Sequence, residues 1–80
     1  GGGAPAPGDA AAIAEEYVKS TLAQTSSILV SDLTSQAFQA HMTHPQRAEI
    51  VDMVYNPQFL AGLASKGILA TDGQSVTKAG

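Results

Sequence analysis

Apolar residues recur at helical spacing along most of this 80-residue chain. We predict a first helix that begins after Asp9, a residue suited to cap a helix N-terminus. Its apolar stripe has members spaced by four, four and seven residues: Ala14, Val18, Leu22 and Leu29. The hydroxyls of residues 25–27 compete for backbone hydrogen bonds, so the helix is expected to fray or bend there. Residues 28–30 then either finish the helix or form a short extended segment.

Ser31 is the expected N-cap of a second helix, which must end near His44 because Pro45 disfavours helical geometry in the residue before it. Pro45 itself suits the first turn of a third helix, capped by Thr43 or His44. The residues predicted to point inward from these two helices are Leu33, Ala37, Phe38, Met42, Ile50, Val51, Val54 and Tyr55.

Asn56 and Pro57 repeat the signal for a helix start, with Asn56 as the cap and Pro57 as the first residue. This fourth helix presents Phe59, Leu60 and Leu63, and Gly67 ends it. After Gly67, the apolar residues no longer follow helical spacing. Residues 68–71 and 74–77 are predicted to be two short strands around an Asp-Gly turn, a pattern typical of a hairpin. The expected fold is therefore mainly α: a small four-helix domain with a C-terminal β-hairpin.

The pattern divides the chain into a flexible Gly/Ala/Pro linker, residues 1–8, and one helical interaction domain, residues 9–80. The apolar fraction is 44%, but much of it is alanine, so the core has few large side chains and must pack closely or use a partner.

The sequence also bears on the class and location of the protein. There is no cysteine and hence no disulfide framework. No apolar run is long enough for a membrane span, so we expect a soluble chain. It begins with glycines and lacks a signal-peptide pattern, which suggests a cytoplasmic piece excised from a larger protein.

The sequence gives little support for catalysis or for a cofactor. It has no nucleophile-elbow motif and no glycine-rich phosphate loop. Glu15 and Glu16 point about 100° apart on a helix, so they cannot work as an acid/base pair. His41 and His44 could share a helix face, but a catalytic zinc site normally needs three protein ligands, and we predict a capping or surface role for them. We expect a domain that is not an enzyme and binds no cofactor or metal.

Residues 45–80 carry one family resemblance. Two short helices lead into Leu60-x-x-Leu63-x-x-Lys66-Gly67-Ile68-Leu69, then a hairpin around Asp72-Gly73, then Thr77-x-x-Gly80. This resembles the second half of a winged-helix domain, a helix-turn-helix followed by a wing. The resemblance implies a recognition helix over residues 57–66 and, for a winged helix that binds DNA, a contact set of Gln58, Ser65, Lys66 and Lys78.

The net negative charge of the chain disfavours nucleic acid as its partner. The chain has four Lys and Arg residues against seven Asp and Glu, a net charge of −3, whereas DNA affinity rests on several contacts from cations to phosphates. We therefore predict a non-catalytic docking or assembly domain that binds a protein partner or a second copy of itself. A DNA-binding winged helix is the alternative. A linker before a small acidic helical domain is also similar in layout to the docking domains of modular multienzymes.

The predicted protein-binding surface is the first stripe: Ala14, Val18, Leu22 and Leu29. The alternative is that this stripe folds back and covers the other helices. The two interpretations are compatible if the domain forms a dimer.

Overall fold

A computed structural model describes residues 10–79. The linker prediction for residues 1–8, the Asp9 cap and Gly80 of the C-terminal motif lie outside the described residues. In chain order the elements are α1 (Ala10–Gln24), β1 (Ser27–Leu29), α2 (Val30–Ala40), α3 (Arg47–Tyr55), α4 (Pro57–Ser65), β2 (Leu69–Thr71) and β3 (Ser75–Lys78). The predicted fold class, a mainly helical domain of four helices with a C-terminal β-hairpin, is confirmed over this part of the chain.

The first helix ends at Gln24, immediately before the hydroxyl-rich run. Just beyond this end, the Thr25 hydroxyl donates to the carbonyl oxygen of Ser27 (3.1 Å). An extended segment does follow, as one of the two alternatives for residues 28–30 proposed, but it covers Ser27–Leu29, and Val30 is already the first residue of α2. The helix thus ends at the hydroxyl-rich run, where the weak helix preference of these residues predicts a break.

The hairpin does not stand alone, because β1 adds a third strand to it. All pairs are antiparallel in the order β1-β3-β2, and Ile28 lies opposite Val76. Backbone bonds continue beyond the paired residues, from the Lys78 N–H to the Ser26 oxygen (2.7 Å) and from the Val30 N–H to the Gln74 oxygen (2.8 Å). An isolated hairpin is marginal in water, and β1 supplies the additional strand that stabilises this one.

The two proline-marked helix starts differ in outcome. Asn56 caps α4 as predicted, its Oδ1 accepting from the Gln58 N–H (2.8 Å), and Pro57 is the first residue of that helix. Pro45, in contrast, lies in a turn, and α3 begins only at Arg47. The second helix also begins two residues earlier than predicted, at Val30, with Leu29 and not Ser31 as its N-cap residue. Its first N–H is bonded by the Gln74 carbonyl, so no Ser31 cap is needed to satisfy it.

One core joins the four helices and the sheet. Its buried members are Ala10, Ala14, Val18, Leu22, Val30, Leu33, Ala37, Ile50, Val54, Leu60, Leu63, Leu69 and Val76. Three residues that we predicted to point inward are exposed instead: Phe38, Met42 and Tyr55. Met42 lies in the turn after α2, while Phe38 and Tyr55 each follow a fully buried residue and are therefore rotated about 100° from it around the helix. On these helices, the set of buried residues is therefore smaller than the set of apolar residues predicted to point inward.

His44 holds the turn that leads into α3. Its Nδ1 accepts from the Gln46 N–H at 3.0 Å, whereas the predicted side-chain cap of α3 by Thr43 or His44 is absent, because Gln46 is the N-cap residue and makes no side-chain cap bond. Replacing His44 with alanine should lower the free energy of unfolding by about 1 kcal/mol, the usual net contribution of one intramolecular hydrogen bond. Urea unfolding followed by circular dichroism measures this change.

The matched control is His44→Asn, which keeps a short-range acceptor for the same N–H and should recover most of the loss. Equal destabilisation by alanine and asparagine would show that the ring contributes by packing and not through this hydrogen bond.

Candidate interaction surface

The predicted protein-binding stripe divides into a buried part and an exposed part. Ala14, Val18 and Leu22 are buried in the core of the chain itself, which corresponds to the fold-back alternative. Leu29 lies on β1 and is 52% exposed. Its separation from Leu22 corresponds to helical spacing, but the helix ends between them at Gln24. Of the stripe, Leu29 alone is available to a partner.

Four large apolar side chains are exposed among the described residues: Leu29, Phe38, Met42 and Tyr55. They form two pairs. Leu29 immediately precedes α2 and Tyr55 is the last residue of α3, whereas Phe38 and Met42 lie near the turn that joins the two helices. Since a short turn joins α2 to α3 and the two helices pack against each other, the pairs lie at opposite ends of the helix pair.

Leu29 and Tyr55 border an open cavity of about 400 Å³, which we call the Leu29–Tyr55 groove. Its lining comes from three parts of the chain: Leu29, Val30 and Ser31 at the start of α2, Tyr55 and Pro57 where α3 meets α4, and Gly73 and Gln74 in the hairpin turn. Tyr55 is 63% exposed. None of the lining residues is charged.

Local sequence explains why these three parts meet. Only Asn56 separates α3 from α4, and its side-chain cap with Pro57 at the first position starts the new helix at once. The bond from the Val30 N–H to the Gln74 oxygen attaches the hairpin turn to the start of α2. The walls of the groove are therefore set by hydrogen bonds that do not involve its apolar side chains.

The other exposed pair is partly covered by its own chain. The Arg47 guanidinium lies 5.1 Å from the centre of the Phe38 ring, and its Nη1 donates to the Met42 carbonyl oxygen (2.8 Å). This cation–π contact places a charge over the Phe38 ring. The Phe38–Met42 pair therefore offers a partner less free apolar surface than the Leu29–Tyr55 groove.

A second cavity, of about 460 Å³, lies between α1, β1 and α2, and much of its lining is polar. Two of its hydroxyls already bond within the chain. Thr21 donates to the Tyr17 carbonyl (2.9 Å), and Thr25 donates to that of Ser27 (3.1 Å). These bonds serve the end of α1, and they leave this cavity less suited to a partner than the groove.

The residues of the DNA-binding alternative do not form a basic surface. Gln58, Ser65 and Lys66 are exposed on or just after α4, and Lys78 is exposed on β3. Lys66 Nζ lies 3.1 Å from Glu15 Oε1, so an acid of α1 faces this cation. Lys19 likewise lies 3.4 Å from Glu16. These pairings reduce the positive potential that a phosphate backbone would meet.

The two histidines use their Nδ1 atoms within the chain. Nδ1 of His41 lies 2.7 Å from the Ala37 carbonyl oxygen, which can only accept, so this nitrogen carries the proton. The His41 ring also meets the edge of Tyr17. Within residues 10–79, no three His, Asp or Glu side chains are grouped as metal ligands, and no helix is long and apolar enough to cross a membrane.

Asp72 fixes the turn that forms one wall of the groove. Its Oδ1 accepts from the N–H groups of Gln74 and Ser75, both at 2.9 Å, and from the Ser75 hydroxyl at 3.3 Å. These bonds, the one from Gln74 foremost, lower the pKa of Asp72 below its ordinary value because they stabilise the carboxylate.

The pH dependence of the turn follows from this lowered pKa. A carboxyl whose pKa is lower in the folded state stabilises that state at pH values above its unfolded pKa, and this contribution is lost as the pH falls through the folded value. We therefore expect the Gln74 and Ser75 amide shifts to stay constant from neutrality to about pH 4 and to change only in stronger acid. Asp72→Asn should abolish that transition. A midpoint at or above the ordinary carboxyl pKa would contradict the prediction.

In comparisons with known proteins, the chain matches no family model, no curated protein and no solved structure.

Proposed function

We propose that this chain is a non-catalytic interaction domain that docks or assembles a larger protein. The observation that carries the proposal is the Leu29–Tyr55 groove, where two large apolar side chains are half or more exposed in an uncharged cavity. Tyrosine is enriched and charged residues are depleted at the centres of protein interfaces. An exposed apolar concavity with neutral polar groups is the usual form of a binding site.

A winged-helix DNA-binding domain is the second candidate. The order of α3, α4 and hairpin, with Gln58, Ser65 and Lys66 exposed, supports it. The pairing of Lys66 with Glu15 and the net charge of −3 favour a protein partner instead.

Site-specific photo-cross-linking tests the docking proposal. A photoreactive phenylalanine analogue replaces Tyr55 in one variant and Ala61, exposed on α4, in a control. We expect the analogue at position 55 to form one discrete protein adduct in cells that express this chain, and the analogue at position 61 to form none. The adduct should disappear when Leu29→Ser is added. Equal adducts from both positions, or no adduct from position 55, would contradict the proposal.

An amide-shift titration with duplex DNA in low salt separates the second candidate. For a docking domain we expect no shifts at Gln58, Ser65, Lys66 or Lys78. Shifts that cluster at these residues and fade steeply with added salt would favour DNA binding, because release of counterions gives that salt dependence.

A further inference from the structure

We infer that the occupant of the Leu29–Tyr55 groove is a short apolar peptide segment of another protein, uncharged at its centre and without acidic flanking residues. This inference rests on the proposed docking function. It specifies the partner in two respects, size and charge, and each is argued from a different feature of the groove.

The size of the groove favours a short segment over a second copy of the chain as its occupant. Specific protein–protein interfaces bury about 800 Å² on each partner, with about 20–30 residues a side. The groove presents two large apolar side chains among seven lining residues, and the other exposed apolar pair lies at the far end of α2 and α3. Its volume of about 400 Å³ is near the lower limit for sites that enclose a small ligand. A segment of a few residues fits this space.

The charges define the chemistry of that segment. The polar groups in the lining are neutral, namely Ser31, Tyr55 and Gln74, so they can bond the backbone of a peptide but cannot neutralise a buried charge. Burying an unpaired charge is strongly unfavourable. The charged residues adjoining the lining in sequence are Asp32, after Ser31, and Asp72, before Gly73. Both are acidic and exposed, so acidic flanking residues on the peptide would be repelled and basic ones attracted.

A peptide library tests both parts of the inference. Acetylated and amidated heptapeptides carry three central positions drawn from Ala, Val, Leu, Phe and Pro, with Ser-Lys pairs on both sides in one set and Ser-Asp pairs in the other. Binding of dye-labelled peptides to the full chain is measured by fluorescence anisotropy in low salt. We expect the best binders in the lysine set, with a Kd at least threefold lower than that of their aspartate counterparts.

Groove variants locate the binding. Leu29→Ser and Tyr55→Ser should each raise the Kd of the best peptide at least tenfold, because both side chains are groove walls. Phe38→Ser is the control, since it removes another exposed large apolar side chain at the opposite end of the helix pair, and it should leave the Kd unchanged. All three sites are exposed, so each variant is expected to fold, and circular dichroism is the check.

The outcomes separate this inference from the proposed function. Tighter binding by the aspartate set, or a Kd unaffected by the groove variants, would overturn the inference. A dimer in light scattering that Leu29→Ser dissociates would also overturn it, because a second copy would then fill the groove. An adduct from position 55 without binding by any library peptide refutes the peptide inference and leaves docking intact. If neither adduct nor binding is found, both are wrong.

Discussion

Replacing Leu33 with alanine is expected to lower the free energy of unfolding by about 3 kcal/mol. Leu33 is on α2, is fully buried and is among the largest side chains of the core. Its removal loses the transfer free energy of the deleted carbons and leaves a cavity that the neighbouring helices fill only in part. Domains of this kind have roughly 0.05–0.15 kcal/mol of stability per residue, so the loss is a large share of the total.

Urea unfolding followed by circular dichroism measures this change, and Leu29→Ala is the matched control. Leu29 has the same side chain but is half exposed on β1, so its truncation should change stability by less than about 0.5 kcal/mol. If the two variants lose similar amounts, then Leu29 serves the fold and the groove is not a free surface. A loss below about 1 kcal/mol for Leu33→Ala would show that the alanine-rich core collapses into the space.

Features with a local cause could be predicted from the sequence. The cap by Asn56, the proline that opens α4, and the turn glycines at Gly67 and Gly73 were all found as expected, the glycines with φ values of 77° and 95°. Each depends on the conformational preference of one or two adjacent residues, which the sequence displays directly.

Features that depend on distant partners could not be predicted in the same way. β1 has three residues, and it is a strand because it pairs with β3, as in the contact between the Ser27 and Thr77 hydroxyls, 50 residues apart. The exposure of Tyr55 also depends on packing. It adjoins Val54 in the sequence, and only the position of the neighbouring elements decides which of the two is buried.

The Leu29–Tyr55 groove depends both on local sequence preferences and on contacts between distant parts of the chain. The sequence singled out Leu29 as a partner-binding residue but assigned it to the stripe of α1, and it assigned Tyr55 to the core. The structure brings Leu29 and Tyr55 together because α2 begins where β1 ends and α3 returns beside it. The sequence did contain a clue. Leu29 and Tyr55 are both large apolar residues that lie at a helix boundary, Leu29 just before α2 and Tyr55 at the end of α3. Such positions end a stripe and can be left outside the core.

The hairpin turn provides a second test with a large expected effect, the substitution Gly73→Val. Gly73 has φ 95°, a conformation that β-branched residues rarely adopt, and nothing lies within 4 Å of where its Cβ would be. The cost is therefore one of backbone conformation and not of a clash, and we expect about 2 kcal/mol of local destabilisation. The amide shifts of Ile68 and Val76 should move towards random-coil values, while those of α1 remain in place.

Gly73→Asn is the control for this substitution, because asparagine tolerates positive φ and keeps the turn at a smaller cost. Since Gly73 and Gln74 form one wall of the groove, the valine variant should also weaken peptide binding, and the asparagine variant should preserve it. Comparison of the valine and asparagine variants distinguishes the effect of the turn's conformation from the effect of adding a side chain at position 73. Loss of binding with unchanged Ile68 and Val76 shifts would mean that the valine side chain obstructs the groove, and the conformational explanation would then be wrong.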